Sequence, residues 1–132
     1  MSVKLINVRL GSNDIARARK FYDATFAALG LGPSQVPADY PLISYKMPGD
    51  GPNFALGPAR DGEPTTHANG GTILFAADSD EAVAAWHAAG LANGGTDEGK
   101  PEPKPQTGGK FGAYLRDPDG NKLAVYHGLT IG

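Results

Sequence analysis

The chain repeats itself at an offset of 65 residues (72 − 7 = 65), and this repeat constrains the fold more than any other feature. The pairing of Asn7 with Thr72 also pairs Val8 with Ile73, Leu10 with Phe75, Asp14 with Ser79 and Ala18 with Val83. The same shift lays Phe21 over Trp86, Tyr22 over His87, Ala24 over Ala89 and Gly30 over Gly95. Each half therefore offers a hydrophobic strand, a capped helix with an adjacent aromatic-containing pair, and a glycine stop. Such a unit has one apolar sheet face to bury, and its helix can cover it. Two units leave two open faces that can curl around a shared cavity. The expected fold class is α+β: two βαβββ modules, about 1–66 and 67–132, forming a cupped mixed sheet.

Local signals fill in the elements. Residues 3–10 (VKLINVRL) alternate as a strand, and Ser12, Asn13 and Asp14 offer N-caps for a helix running through Leu29. Ile15, Ala18, Phe21, Phe26 and Leu29 lie near one stripe of that helix, and Gly30 suits the position after its end. Residues 40–47 and 53–57 read as short strands separated by the turn segment PGDG. The second half restarts with a strand at 71–78, an N-cap at Ser79, and Asp80 and Glu81 at the favourable end of the helix dipole. That helix runs to about Ala89. Residues 96–110 (TDEGKPEPKPQTGGK) are too proline-rich for regular structure, and read as a solvated loop or as a lid hinged at Gly108 and Gly109. A strand, FGAYLRD, then leads into a tight Asp117-Pro118-Asp119-Gly120 turn and a last strand, in which Leu123 and Val125 alternate with Lys122, Ala124 and Tyr126.

Composition excludes several classes. With no cysteine among 132 residues there is no disulfide framework, thiolate metal site or cysteine nucleophile, which fits a reducing compartment and gives a cytoplasmic expectation. The first residues lack the apolar run of a signal peptide, and no segment approaches a membrane span. A net charge of −2 with mixed signs supplies no basic stripe, so neither nucleic acid nor a membrane is the expected partner.

The segment LINVRLGSNDIARARKFYDATFAALGL at the front and RDPDGNKLAV at the back resemble the vicinal oxygen chelate superfamily, the group of glyoxalase, bleomycin-resistance and extradiol-dioxygenase proteins. The resemblance covers nearly the whole chain. It implies the two-module cupped fold, frequent assembly as a homodimer, and, in the enzymes, a divalent metal held at the starts of both modules and in the last hairpin. By motif position those places are Asn7, Thr72 and Ala124, where the family's histidines and glutamate would stand. An amide, a hydroxyl and a methyl are poor replacements for imidazole and carboxylate. The expectation is a retained scaffold with no metal and no cofactor. His67, His87 and His127 fall in a loop, a helix and a strand end, and are not expected to converge.

Strand parity proposes what the cavity holds. If Val8 and Leu10 pack under the first helix, Asn7 and Arg9 face inward, and by the same rule so do Thr72, Tyr114, Arg116 and Tyr126. Tyr45 joins them unless a bulge flips it. Guanidiniums with tyrosine walls suit a small anionic or aromatic ligand. The competing local readings are that Arg9 pairs with an internal acid, that Arg116 bridges to Asp117 or Asp119, and that the tyrosines are wall packing. Three functions follow: a metal-free protein that binds a small molecule between its modules; a glyoxalase-like lyase or dioxygenase-type enzyme acting on a small carbonyl, thiol-conjugate or aromatic substrate; and an interaction module with a vestigial cavity.

Overall fold

The computed structural model describes residues 3–129. The first half runs β1 (Asn7–Gly11), α1 (Ile15–Ala28), β2 (Ile43–Lys46) and β3 (Asn53–Gly57). The second runs β4 (Ile73–Ala77), α2 (Asp80–Ala92), β5 (Thr96–Lys104), β6 (Lys110–Arg116) and β7 (Lys122–His127), with a 3-10 turn at Pro105–Thr107. None of the described helices is long and apolar enough to cross a membrane.

The 65-residue register survives in atomic detail. Asp14 caps α1 by accepting the Arg17 N–H at 3.1 Å, and its counterpart Ser79 caps α2 through the Ala82 N–H at 3.1 Å. Ala18 and Val83 are both fully buried, as are Phe21 and Trp86. In the first sheet, ordered β1-β3-β2, β1 runs parallel to β3 with Val8 opposite Phe54. In the second, ordered β4-β7-β6-β5, β4 runs parallel to β7 with Ile73 opposite Leu123. Phe54 thus corresponds to Leu123. Their offset, 123 − 54 = 69, shows four residues gained between the helix and the last strand of the second half.

Those extra residues accompany a whole strand. The second module carries β5, whereas the segment corresponding to it, 31–39 (96 − 65 and 104 − 65), is irregular. The first module is therefore shorter by one strand. The strand itself corrects the expectation of an irregular loop at 96–110. Its prolines, Pro101 and Pro103, are tolerated because β5 is the outer strand of its sheet and pairs on one side only. Register shifts between Asp97 and Gly99 and between Gly99 and Glu102 absorb the remaining misfit.

One core spans both halves. Phe21, Tyr22, Phe26, Phe54 and Leu56 from the first pack with Val83, Trp86, Leu115, Leu123 and Val125 from the second. A Cβ on Gly90 would lie 2.3 Å from Leu115 Cδ1 and 3.3 Å from Phe21, so the bare glycine is what allows α2 to sit this close.

The last hairpin ties the two modules by hydrogen bonds. Asp119 Oδ1 accepts the Asn13 N–H at 2.9 Å and the Arg17 guanidinium at 2.8 Å, so it neutralises the start of α1 from across the molecule. Asn121 Nδ2 donates to the Gly11 carbonyl at 3.0 Å. The buried carboxylate of Asp117 accepts the Tyr22 hydroxyl at 2.5 Å, Asn121 Nδ2 at 2.9 Å, and the backbone N–H groups of Asp119 and Asn121, each at 2.9 Å. Gly120 closes the turn at φ +91°, a conformation that favours glycine.

Candidate functional site

The three positions at which the resemblance expects metal ligands lie on or beside strands of both modules, and their side chains do not fit a metal. Asn7, on β1, accepts a hydrogen bond at Oδ1 from Asn53 Nδ2 at 2.9 Å. Asn53 Oδ1 in turn accepts the Ser44 hydroxyl at 3.1 Å, so a neutral amide–hydroxyl chain crosses all three strands of the first sheet. Thr72 is exposed beside β4, and Ala124, fully buried on β7, has no donor atom in its side chain. A divalent ion needs imidazole or carboxylate ligands at such a corner. The described residues contain no group of three or more His, Asp or Glu that could supply them. His87 Nε2 instead meets Asp97 at 2.8 Å, and His127 Nδ1 meets Asp80 at 2.9 Å.

Of the seven residues expected to line one cavity, Tyr114, Arg116 and Tyr126 share one face of β6 and β7. Five clefts among the described residues contain at most one of the seven each. Arg9 lies across Gly57, where a Cβ would come within 2.7 Å of its NH2, and it donates to the Pro58 carbonyl at 2.8 Å. It lines a polar cleft of about 360 Å³ with Arg60 and Thr65. Tyr114 and Tyr126 share a hydrogen bond of 2.7 Å, their rings edge to face at 5.8 Å. Burial, and then the neighbouring Tyr114 hydroxyl, push the Tyr126 hydroxyl up to about 12. Lys122 Nζ sits 5.4 Å from the centre of the Tyr114 ring. Arg116 is bound to Glu98 at 3.0 Å and to the Gly120 carbonyl at 2.9 Å.

Tyr45 requires a correction. It lies on the helix side of β2, 2 % exposed, with its hydroxyl donating to Asp23 at 2.6 Å and its ring 4.8 Å from that of Phe26. The cause is strand parity: Tyr45 stands opposite Phe54, as Leu115 stands opposite Leu123, and both pairs face the core.

Where the modules meet, an apolar cleft of about 360 Å³ opens between β1, β3 and β4. Val8, Phe54, Ile73 and Phe75 contribute helix-side surface, and Thr72 and Leu74 belong to the opposite side of β4. A second apolar cleft of about 270 Å³, lined by Phe26, Leu29 and Pro48, shares Met47, Phe75 and Ala76 with it. Phe54 and Phe75 meet edge to face at 5.5 Å. Sequence reasoning named Thr72 but missed this seam. Phe75 lies where the two sheets leave a gap, edge to face with Phe26 of α1.

A search of curated proteins finds no match to the chain. Solved structures are similar over nearly their whole lengths. A glyoxalase/bleomycin resistance protein from Albidiferax ferrireducens T118 is 42 % identical, with a TM-score of 0.80 over 92 % of this chain and 95 % of that one. A lactoylglutathione lyase from Agrobacterium tumefaciens is 25 % identical, with a TM-score of 0.63 over 96 % and 95 %. A glyoxalase-related enzyme from Fulvimarina pelagi, 20 % identical with a TM-score of 0.75 over 98 % and 92 %, shares the fold. The family model described as the glyoxalase/bleomycin resistance protein/dioxygenase superfamily matches residues 4–125. On that match and on the 42 % identical structure, the chain belongs to this superfamily.

Proposed function

We propose that this protein binds a small molecule between its modules without a metal, and that the seam beside β4 is the site. The observation that carries the reading is the chemistry of the two conjoined clefts. Aromatic and aliphatic side chains line them, and the exposed Thr72 hydroxyl stands at one end. Such a surface suits an aromatic or otherwise apolar ligand. Arg116 is already paired with Glu98, so the reading takes up the aromatic half of the expectation and leaves the anionic half aside.

Thermal shift with a panel of small aromatic compounds tests the site. Binding raises Tm by mass action in the unmodified protein, and Ala76→Trp, which fills the wall common to both clefts, removes the shift. A shift that survives in Ala76→Trp refutes the placement. Metal analysis after dialysis tests the other half, since stoichiometric zinc, nickel, iron or manganese would overturn it. The similarity to a lactoylglutathione lyase favours a second reading, a glyoxalase-like enzyme. Turnover of thiol-conjugate substrates that depends on added metal would establish that reading in place of ours.

We also propose that two copies associate. Leu5 and Ile6, before β1, are 61 % and 81 % exposed, and Leu74 on β4 is 41 % exposed. β1 and β4 are also outer strands of their sheets. Sedimentation should give a dimer that Ile6→Asp converts to monomer. A monomeric unmodified protein at high concentration would refute this.

A further inference from the structure

The largest of the five clefts, about 430 Å³, runs along the outer flank of β2, meeting the seam at Leu31 and the amide–hydroxyl chain of the first sheet at Ser44 and Asn53. Leu31, Pro33 and Val36 wall it on one side and Ser44 and Lys46 on the other. The Met47 N–H bonds the Pro52 carbonyl at 3.1 Å, which sets the phase of the β2–β3 ladder. In that phase Ser44 and Lys46 turn their main-chain groups away from β3 and toward the cleft.

The repeat shows what belongs there. Lys46 stands opposite Asn53 and Arg116 opposite Lys122, so Lys46 and Arg116 are counterparts. In the second module β5 fills this flank, with Thr96 opposite Arg116 and the Glu98 carboxylate on the Arg116 guanidinium at 3.0 Å. In the first module the residue corresponding to Glu98 is Pro33 (98 − 65 = 33), which has neither acid nor N–H. The segment stands off the sheet. Ser34 reaches β2 only through its hydroxyl, which accepts the Ser44 N–H at 3.4 Å. Its own N–H is held by Asp23, and Arg19 holds the Val36 carbonyl, so the far wall of the groove is pinned to α1. The Lys46 ammonium donates to three carbonyls, those of Met47, Gly49 and Gly51, and meets no carboxylate among the described residues.

We propose that this groove captures an extended acidic peptide segment. The segment displaces the Ser34 hydroxyl from the Ser44 N–H, pairs antiparallel with β2 as β5 pairs with β6, and places a carboxylate on Lys46 where Glu98 would stand, in exchange for one of the lysine's carbonyl acceptors. The probe is a blocked peptide of sequence TDEGKPEPK, identical to β5, titrated into ¹⁵N-labelled protein. The amides of Ser44, Lys46 and residues 31–36 should shift and saturate. Lys46→Glu should weaken binding about five- to tenfold, and a peptide with lysine in place of its second acid should restore it. Lys46→Gln serves as a milder variant, and spectral dispersion reports folding of both. The absence of saturable shifts at millimolar peptide, or equal affinity for Lys46→Glu, would overturn the proposal. So would the same shifts from free glutamate, which would mark a simple anion site.

Discussion

Replacing Tyr22 with phenylalanine isolates one hydrogen bond between the modules. The ring stays, with its neighbours Phe21, Phe26, Tyr45 and Phe54 at centroid distances of 4.9, 5.7, 6.2 and 5.4 Å. Only the hydroxyl is lost, together with its 2.5 Å bond to Asp117. Both residues are buried, at 1 % and 3 % exposure, so water does not replace the missing donor. A buried hydrogen bond to an ionised group contributes about 1.5–3 kcal/mol. For a chain of 132 residues, 1 kcal/mol moves Tm by about 4 °C, so the expected fall at neutral pH is about 6–12 °C. The cost also depends on pH. Burial holds the Asp117 carboxyl above its ordinary value, against the opposing pull of the Tyr22, Asn121 and Asp119 hydrogen bonds. A carboxyl raised in the folded state binds its proton more tightly there, so stability falls as pH rises from the unfolded to the folded value. Loss of the Tyr22 donor raises the folded value further and steepens that fall. The difference between the two proteins should be largest above the folded value of Asp117 and shrink in acid. Melting curves across pH check this. An unchanged Tm at neutral pH, or a difference that grows in acid, refutes the reasoning.

Two other perturbations follow from the geometry. Gly112→Ala places a Cβ 2.4 Å from the buried Tyr126 ring, and should cost about 1–3 kcal/mol in denaturant unfolding with the fold retained. Asp97 is held below the usual carboxylate range, first by His87 and then by the Gly99 N–H. Its contribution is present above the unfolded value and lost as pH falls through the folded one. Asp97→Asn should therefore lower Tm at neutral pH and converge with the parent in acid; parallel melting profiles would contradict this.

The features set by local periodicity were legible in the sequence. The cap Ser79, the buried stripe of α1, and the helix-side placement of Val8, Leu10, Leu115, Leu123 and Val125 follow from spacing, while Asp14 was one of three candidate caps. Tyr45 was misplaced because β2 is four residues long, too short for alternation to fix which face is buried. β5 was missed because proline is tolerated only on an outer strand, and which strand lies outermost is a tertiary fact. The partner of Arg116 was missed with it, since Glu98 sits in the segment read as a loop. The separate clefts depend on how two sheets meet, and neither half encodes that alone.

The contacts from Asp119 to Asn13 and Arg17 join residues 106 and 102 apart in the chain. During synthesis on the ribosome, the start of α1 emerges long before the acid that neutralises it. The first module lacks these contacts until the 117–121 hairpin leaves the exit tunnel. Nascent chains halted before residue 117 should therefore be protease-sensitive throughout, and become resistant in one step once the hairpin is released.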